Sequence, residues 1–325
     1  MMRKLQLLRC LVFTAVAAVC LTAASAREPP DRPGLLILAH GSPRAAWNES
    51  VKQLTEKVTA LNETKKTFHA VTAAFLEFAK PDAAAGAATL EKAGCNQIIV
   101  VPVFTCPGSH THFDVPAVLG LYSSPSTREM MKEENLRPAE THVPVTITQT
   151  IDEGDLLDRY VRDEIASLSV NPEEEAVLLI AHGDEGHTGL IEPVMRRLLT
   201  GVCGSTKIAR GNWAFCGVGQ TYKQNVVPVI QKLAESKKRV LVVGLYLALS
   251  AKSIDSRSAA AGEPQPHSHD HNHSHGGEAH THAPEKPAAE QKNPLDGLDV
   301  RFSERGIITH PEMPDWILQC AAEAL

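Results

Sequence analysis

The feature that most restricts this chain is a repeat of its own pattern. A short apolar run, Leu35 to Leu38, ends in Ala39-His40-Gly41-Ser42, and another, Val177 to Ile180, ends in Ala181-His182-Gly183-Asp184. His182 stands 142 residues after His40. A second pair of runs, Ile98 to Phe104 and Val240 to Tyr246, sets Gly244 the same 142 residues after Pro102. Two landmarks at one spacing point to duplication. A third pair, Ala70 to Phe75 and Asn212 to Phe215, fits the same scheme, with helical stretches such as Trp47 to Leu61 and Gly189 to Leu199 between the strands. Val143 to Thr148 and Val300 to Phe302 supply a last strand for each half.

Strands that alternate with helices and are apolar on both faces call for parallel sheets covered by helices, because a parallel crossover cannot be made by a tight turn. The expected fold is therefore α/β, with two tandem doubly wound parallel-sheet lobes at residues 27–170 and 171–325. A chain of 325 residues suits two such units, since domains commonly hold ~100–150 residues. Ligands of such sheets sit beyond the carboxyl ends of the strands. His40, His182 and the loop after Phe104 all fall there.

Hydrophobic residues at 43% and charged residues at 22% supply a real core and exclude wholesale disorder. A net charge of −6 with 5% aromatics offers neither a basic face for phosphates nor a ladder of stacking rings, so nucleic acid is not an expected partner.

Arg3, Lys4 and Arg9, an apolar run from Leu11 to Leu21, and Ala24-Ser25-Ala26 follow the order of a secretory signal. Residues 1–26 are expected to be cleaved and the protein exported to the periplasm. The run falls short of the ~20 residues that span a bilayer, so no stable membrane span is expected after cleavage. The mature chain would keep Cys95, Cys106, Cys203, Cys216 and Cys320. In an oxidising compartment, Cys203 and Cys216 are the pair that could close a loop.

From Ala259 to Pro294 the apolar period stops, and the composition turns to Ala, Pro, Glu and His, as expected of a disordered insertion in the second lobe. His267, His269, His271, His273 and His275 alternate with short polar residues, and His280 and His282 follow. Imidazoles at this density suit capture of nickel, cobalt, copper or zinc.

In the first half His40, Glu77 and His110 all fall at strand ends or just beyond them. Two imidazoles and a carboxylate make a mixed nitrogen and oxygen site for a borderline divalent ion, with positions left open for a substrate. Each residue alone has an ordinary reading: a helix cap, a solvated acid, a loop histidine. The repeat changes that balance. Lys252 stands 142 residues after His110, and aligning Phe75 with Phe215 puts Gly217 opposite Glu77, so the second half keeps only His182. A trio needed for folding should have survived in both copies.

The segments Leu36-Ile37-Leu38-Ala39-His40-Gly41-Ser42, Phe75-Leu76-Glu77-Phe78-Ala79, Val100-Val101-Pro102-Val103-Phe104, Gly108-Ser109-His110 and Asp114-Val115-Pro116 resemble the sirohydrochlorin cobaltochelatase and ferrochelatase family of class II tetrapyrrole chelatases. The second half resembles a diverged copy, as in long two-lobed members, with His182-Gly183 and Thr309-His310-Pro311. The resemblance implies insertion of a divalent metal, cobalt first with nickel or iron as alternatives, into a sirohydrochlorin-type tetrapyrrole. His40 and His110 would be the catalytic metal ligands, Glu77 an acid lining the same cleft, and His112 an extra imidazole able to replace His110. His182, Lys252 and His310 are what a second-lobe cleft would offer.

Imidazole suits this chemistry because it binds metal when neutral and accepts a proton when free. The metal ion is a substrate, and no organic cofactor is called for. Export suggests a second reading, a non-enzymatic periplasmic carrier of metal or tetrapyrrole.

Overall fold

The computed structural model describes residues 31–183, 186–217, 220–260 and 293–325. The expected signal segment lies outside them, as does the stretch 261–292 that holds the seven clustered histidines. The first lobe runs β1 (Pro33–Ala39), α1 (Ala45–Lys65), β2 (Ala70–Phe75), α2 (Ala83–Lys92) and β3 (Gln97–Pro102). A π-helical turn, His110–Asp114, leads into α3 (Val115–Val118), followed by α4 (Pro125–Glu133), β4 (Val145–Ile147) and α5 (Leu156–Leu168). The second runs β5 (Glu175–Ala181), α6 (Thr188–Ser205), β6 (Gly211–Phe215), α7 (Val227–Ala234), β7 (Arg239–Leu245), α8 (Ala251–Ala260), β8 (Asp299–Phe302) and α9 (Met313–Ala322).

Each lobe holds a four-stranded, all-parallel sheet, in the orders β2-β1-β3-β4 and β6-β5-β7-β8. The repeat read from sequence is therefore a repeat of topology. In both lobes the first strand is central and buried along its whole length. Its side chains alternate between two cores, as the period of a strand requires. Leu35, Ile37 and Ala39 enter one cluster together with Val177, Leu179 and Ala181 of the second lobe, so the lobes share this core. Leu36 and Leu38 face a separate core of the first lobe, while Leu178 and Ile180 face one of the second. Each fully buried Leu, Ile or Val side chain contributes ~1.5–3 kcal/mol.

The shared core is made by an exchange of helices. α5 follows the first lobe's last strand, yet it packs on α6 and β7 of the second lobe. α9 follows the second lobe's last strand, yet it packs on α1 and β3 of the first. Both helices bury a broad apolar side, including Leu156, Tyr160, Val161 and Ile165 on α5 and Trp316, Ile317 and Cys320 on α9. Polar contacts hold each crossing in place. The Tyr160 hydroxyl reaches the carbonyl oxygens of Gly244 at 3.0 Å and Arg305 at 2.8 Å, while Arg305 donates to the buried carboxylate of Glu164 at 2.7 Å. Lys65 pairs with Asp315 at 2.8 Å.

The Cys203–Cys216 pairing allowed by sequence is not formed. Cys203 sits on α6 in a surface hollow with Gly211 and Trp213, at the start of β6, whereas Cys216 follows the far end of that strand. Five extended residues span ~16 Å, well beyond the ~4.4–6.8 Å between the Cα atoms of a disulfide. Among the described residues no helix is long and apolar enough to cross a membrane.

Candidate metal centre

Strand register brings the three first-lobe residues together. β1 pairs with β2 up to Ala39 opposite Phe75. The pairing then continues past both strands, Leu76 N–H donating to Ala39 O and Glu77 N–H to His40 O, each at 2.8 Å. Glu77 is thereby held beside His40. On the other side of β1, Leu38 is opposite Pro102 of β3, and Val103 N–H donates to Leu38 O at 2.9 Å. The chain leaving β3 then folds back through the π-helical turn and carries His110 over the end of β1. This is the crevice at which an open parallel sheet reverses its winding. Gly41 makes the turn possible: its φ is 94°, and a Cβ there would overlap the carbonyl oxygen of Glu77.

The two imidazoles meet with their Nε2 atoms 3.2 Å apart. His40 Nδ1 lies 2.9 Å from the carbonyl oxygen of Gly41, and His110 Nδ1 lies 2.8 Å from Asp114 Oδ2. A carbonyl and an ionised carboxylate can only accept, so these contacts assign the ring proton to Nδ1 in both residues. In the neutral rings each Nε2 then presents a lone pair, and the two nitrogens lie only 3.2 Å apart. That arrangement is repulsive unless a cation, whether proton or metal ion, lies between them. At a metal–nitrogen distance of ~2.1 Å, nitrogens 3.2 Å apart subtend about 100° at the ion, which suits tetrahedral or octahedral coordination.

Glu77 completes the group. It is 4% exposed, and the ligand atoms of His40, Glu77 and His110 all lie within 4.8 Å of one another. Two neutral nitrogens and one carboxylate oxygen fit a borderline dication and leave it one positive charge and open positions. The Phe104 ring, nearly buried, stands 6.3 Å from His40 and 6.4 Å from His110 and closes the inner side. Phe78, half exposed, lies 5.9 Å from His40 on the outer side. Burial and the nearby Asp152 push the thiol of Cys106, in the loop before His110, up to about 12.

His112, expected as an alternative ligand, is not brought into the group. It is exposed, its ring lies against Phe113 at 6.4 Å, and it acts electrostatically on Asp152. The turn that points residues 110 and 114 together leaves 112 outside. Asp114, which the sequence offered only as part of a motif and without a role, lies against His110, and its four-residue spacing behind that histidine was a readable signal. By accepting from Nδ1 it fixes the ring's orientation and raises its basicity toward a metal.

In the second lobe Cys216 N–H donates to Ala181 O at 2.8 Å, which matches Leu76 and sets Gly217 opposite Glu77. A Cβ on Gly217 would overlap the carbonyl oxygen of His182 and crowd its ring. His182 repeats the Nδ1 contact of His40, at 2.9 Å to Gly183 O, but is exposed. Lys252 forms a surface pair with Glu304. His310 is 3% exposed and is committed to the helix exchange, with Nε2 3.2 Å from Asp163 and its ring against Tyr160. His182, Lys252 and His310, expected to line a second-lobe cleft, thus have separate described partners, Gly183, Glu304 and Asp163.

The CbiX family model matches residues 34–168. The sirohydrochlorin cobaltochelatase of Methanococcus maripaludis is 33% identical over 88 residues, covering 27% of this chain and 58% of the relative. That of Saccharolobus islandicus is 30% identical over 101 residues, covering 31% of this chain and 74% of the relative. The match to the Methanococcus protein thus spans less than two thirds of that protein's length. Among solved structures, SirB from Bacillus subtilis with Fe3+ aligns with a TM-score of 0.60 at 15% identity, covering 90% of this chain and 95% of the other. At that identity the likeness is one of fold, and it runs through both lobes.

Proposed function

The chain belongs to the CbiX family, and from that membership we propose that it is a chelatase that inserts a divalent metal ion into a sirohydrochlorin-type tetrapyrrole. The observation that carries this reading is the pair of Nε2 atoms, 3.2 Å apart and each backed by an acceptor on Nδ1. Such a pair grips a dication without enclosing it. Cobalt is the expected ion, in keeping with the named relatives, with nickel and iron as alternatives.

His40 and His110 hold the incoming ion after it has lost part of its water, and Glu77 offsets part of its charge. The macrocycle approaches from the outer side, where Phe78 is half exposed. As four ring nitrogens take the ion, two pyrrole protons must leave. An imidazole Nε2 released by the departing metal is a base of suitable strength at the reacting centre, and one proton between the two Nε2 atoms relieves the repulsion left by the ion. Glu77 is placed to take the second.

Purified protein incubated with sirohydrochlorin and cobalt, nickel or ferrous ion, and followed by absorbance, tests the reading. Multiple turnovers that disappear in His110→Ala are the expected result. Stoichiometric binding of both ligands without turnover would identify a carrier instead. Cleavage after Ala26, export, and metal gathering by the histidines between 267 and 282 belong to the same proposal. The amino terminus of the secreted protein, read by mass spectrometry, tests the first two. Deleting residues 259–294 tests the third, since it should lower the number of metal ions bound and leave turnover at saturating metal intact.

A further inference from the structure

The segment that delivers Glu77 to the site has an unusual backbone. Ala79 N–H donates to Glu77 O at 2.7 Å, which closes a three-residue turn around Phe78. Phe78 itself has φ 58°. Turns of this kind, with a bulky residue in the left-handed region, are rare and strained. Glycine would adopt the same backbone freely, yet an aromatic residue stands there.

The strained turn sends neighbouring side chains opposite ways. Glu77 goes inward, 4% exposed, and Phe78 outward, 50% exposed. The Phe78 ring is no part of any core: its described ring contact is His40, at 5.9 Å and tilted by 33°. That separation lies within the ~4.5–7 Å at which aromatic faces and edges meet. In the second lobe the corresponding residue is Val218, following Gly217. Aromatic side chain and acid are thus both missing from the copy that lacks the second imidazole.

We propose that Phe78 is a specificity-determining residue whose exposed ring forms a stacking platform for a planar conjugated macrocycle positioned over the Nε2 atoms of His40 and His110. The inference rests on the chelatase reading above. A macrocycle whose centre takes the ion from that pair has its pyrrole rings displaced sideways from the ion, and the Phe78 ring stands to the side of the pair, 5.9 Å from His40. Phe104 cannot serve this purpose, because it is nearly buried. Backbone strain maintained at an exposed aromatic residue is the pattern expected where a side chain is held for a ligand rather than for the fold.

The test titrates metal-free sirohydrochlorin, and separately Co2+ alone, into the wild type and into Phe78→Gly, Phe78→Leu and Phe78→Tyr, with thermal unfolding of each. Loss of the stacking face should weaken macrocycle binding and raise KM by ~10-fold in Phe78→Gly, with a smaller loss in Phe78→Leu and recovery in Phe78→Tyr. Co2+ binding should stay within ~2-fold and the unfolding temperature should hold or rise, since glycine relieves the turn. Unchanged macrocycle binding in Phe78→Gly would overturn the inference and leave the chelatase reading standing. So would a joint fall in unfolding temperature and Co2+ affinity, which would mark a structural role. A wild-type protein that binds no sirohydrochlorin would overturn the chelatase reading, and the platform with it.

Discussion

Strand for strand the two lobes are built alike, with the same order, the same direction and the same first hydrogen bond past the ends of the first two strands, from Leu76 N–H to Ala39 O and from Cys216 N–H to Ala181 O. They differ in what those ends present. The first offers His40, Glu77 and His110 in one group. The second offers an exposed His182, a glycine packed against it, and a lysine in a surface ion pair. A scaffold that folds equally well with and without the trio shows that the trio is dispensable for folding. Its assembly in one copy is then a matter of chemistry, and the other copy serves as an internal control.

The comparison breaks most readily if the lobes are energetically independent. Trp316→Ala, at the crossing of α9 into the first lobe, should cost ~3–5 kcal/mol and lower the stability of both lobes in one cooperative transition. Separate unfolding of the two sheets, seen by hydrogen exchange, would contradict the shared core. Next in size is the contrast between equivalent histidines. His40→Ala should weaken Co2+ binding by ~100-fold or more, exceeding the usual effect of losing a supporting residue, while His182→Ala should change it less than ~2-fold. Equal losses would erase the distinction between the lobes.

Gly217 sharpens the contrast further. Any side chain there meets the backbone of His182, so Gly217→Ala should destabilise by ~1–3 kcal/mol. By the same reasoning, Gly217→Glu with Lys252→His should fail to create a second Co2+ site in an equilibrium titration. The smallest effect concerns the starts of the central strands, Pro33 in the first lobe and Glu175 in the second. Burial pushes the Glu175 carboxyl up, but hydrogen bonds from the Asn171 and Val170 amides, the Ser169 hydroxyl and Arg239 outweigh it, and the net shift is downward. A lowered carboxylate stabilises the fold above its unfolded pKa, and the contribution is lost as pH falls through the folded value. Glu175→Gln should therefore cost ~1 kcal/mol near neutral pH, and denaturation curves of the two proteins should converge below the ordinary glutamate range.

The strands were legible because the central ones are buried on both faces and read as unbroken apolar runs. The trio was legible because the repeat supplied a contrast at Gly217 and Lys252. The helix exchange was not, since the apolar side of α5 or α9 says that a helix covers a sheet without saying which sheet. His112 and Asp114 depended on the register of a single turn, which side-chain pattern does not specify. The choice of cysteines failed for a related reason: their closeness along the chain hid the full length of β6 lying between them.

The helix exchange also bears on how the molecule is made. The sheet that carries His40, Glu77 and His110 leaves the ribosome before the second sheet, yet one side of it is covered by α9, which follows the second sheet in the chain. Of the two lobes, the one synthesised first is thus completed only after the second sheet has been made. An interrupted chain would hold every ligand of the site and still lack the helix that seals its sheet.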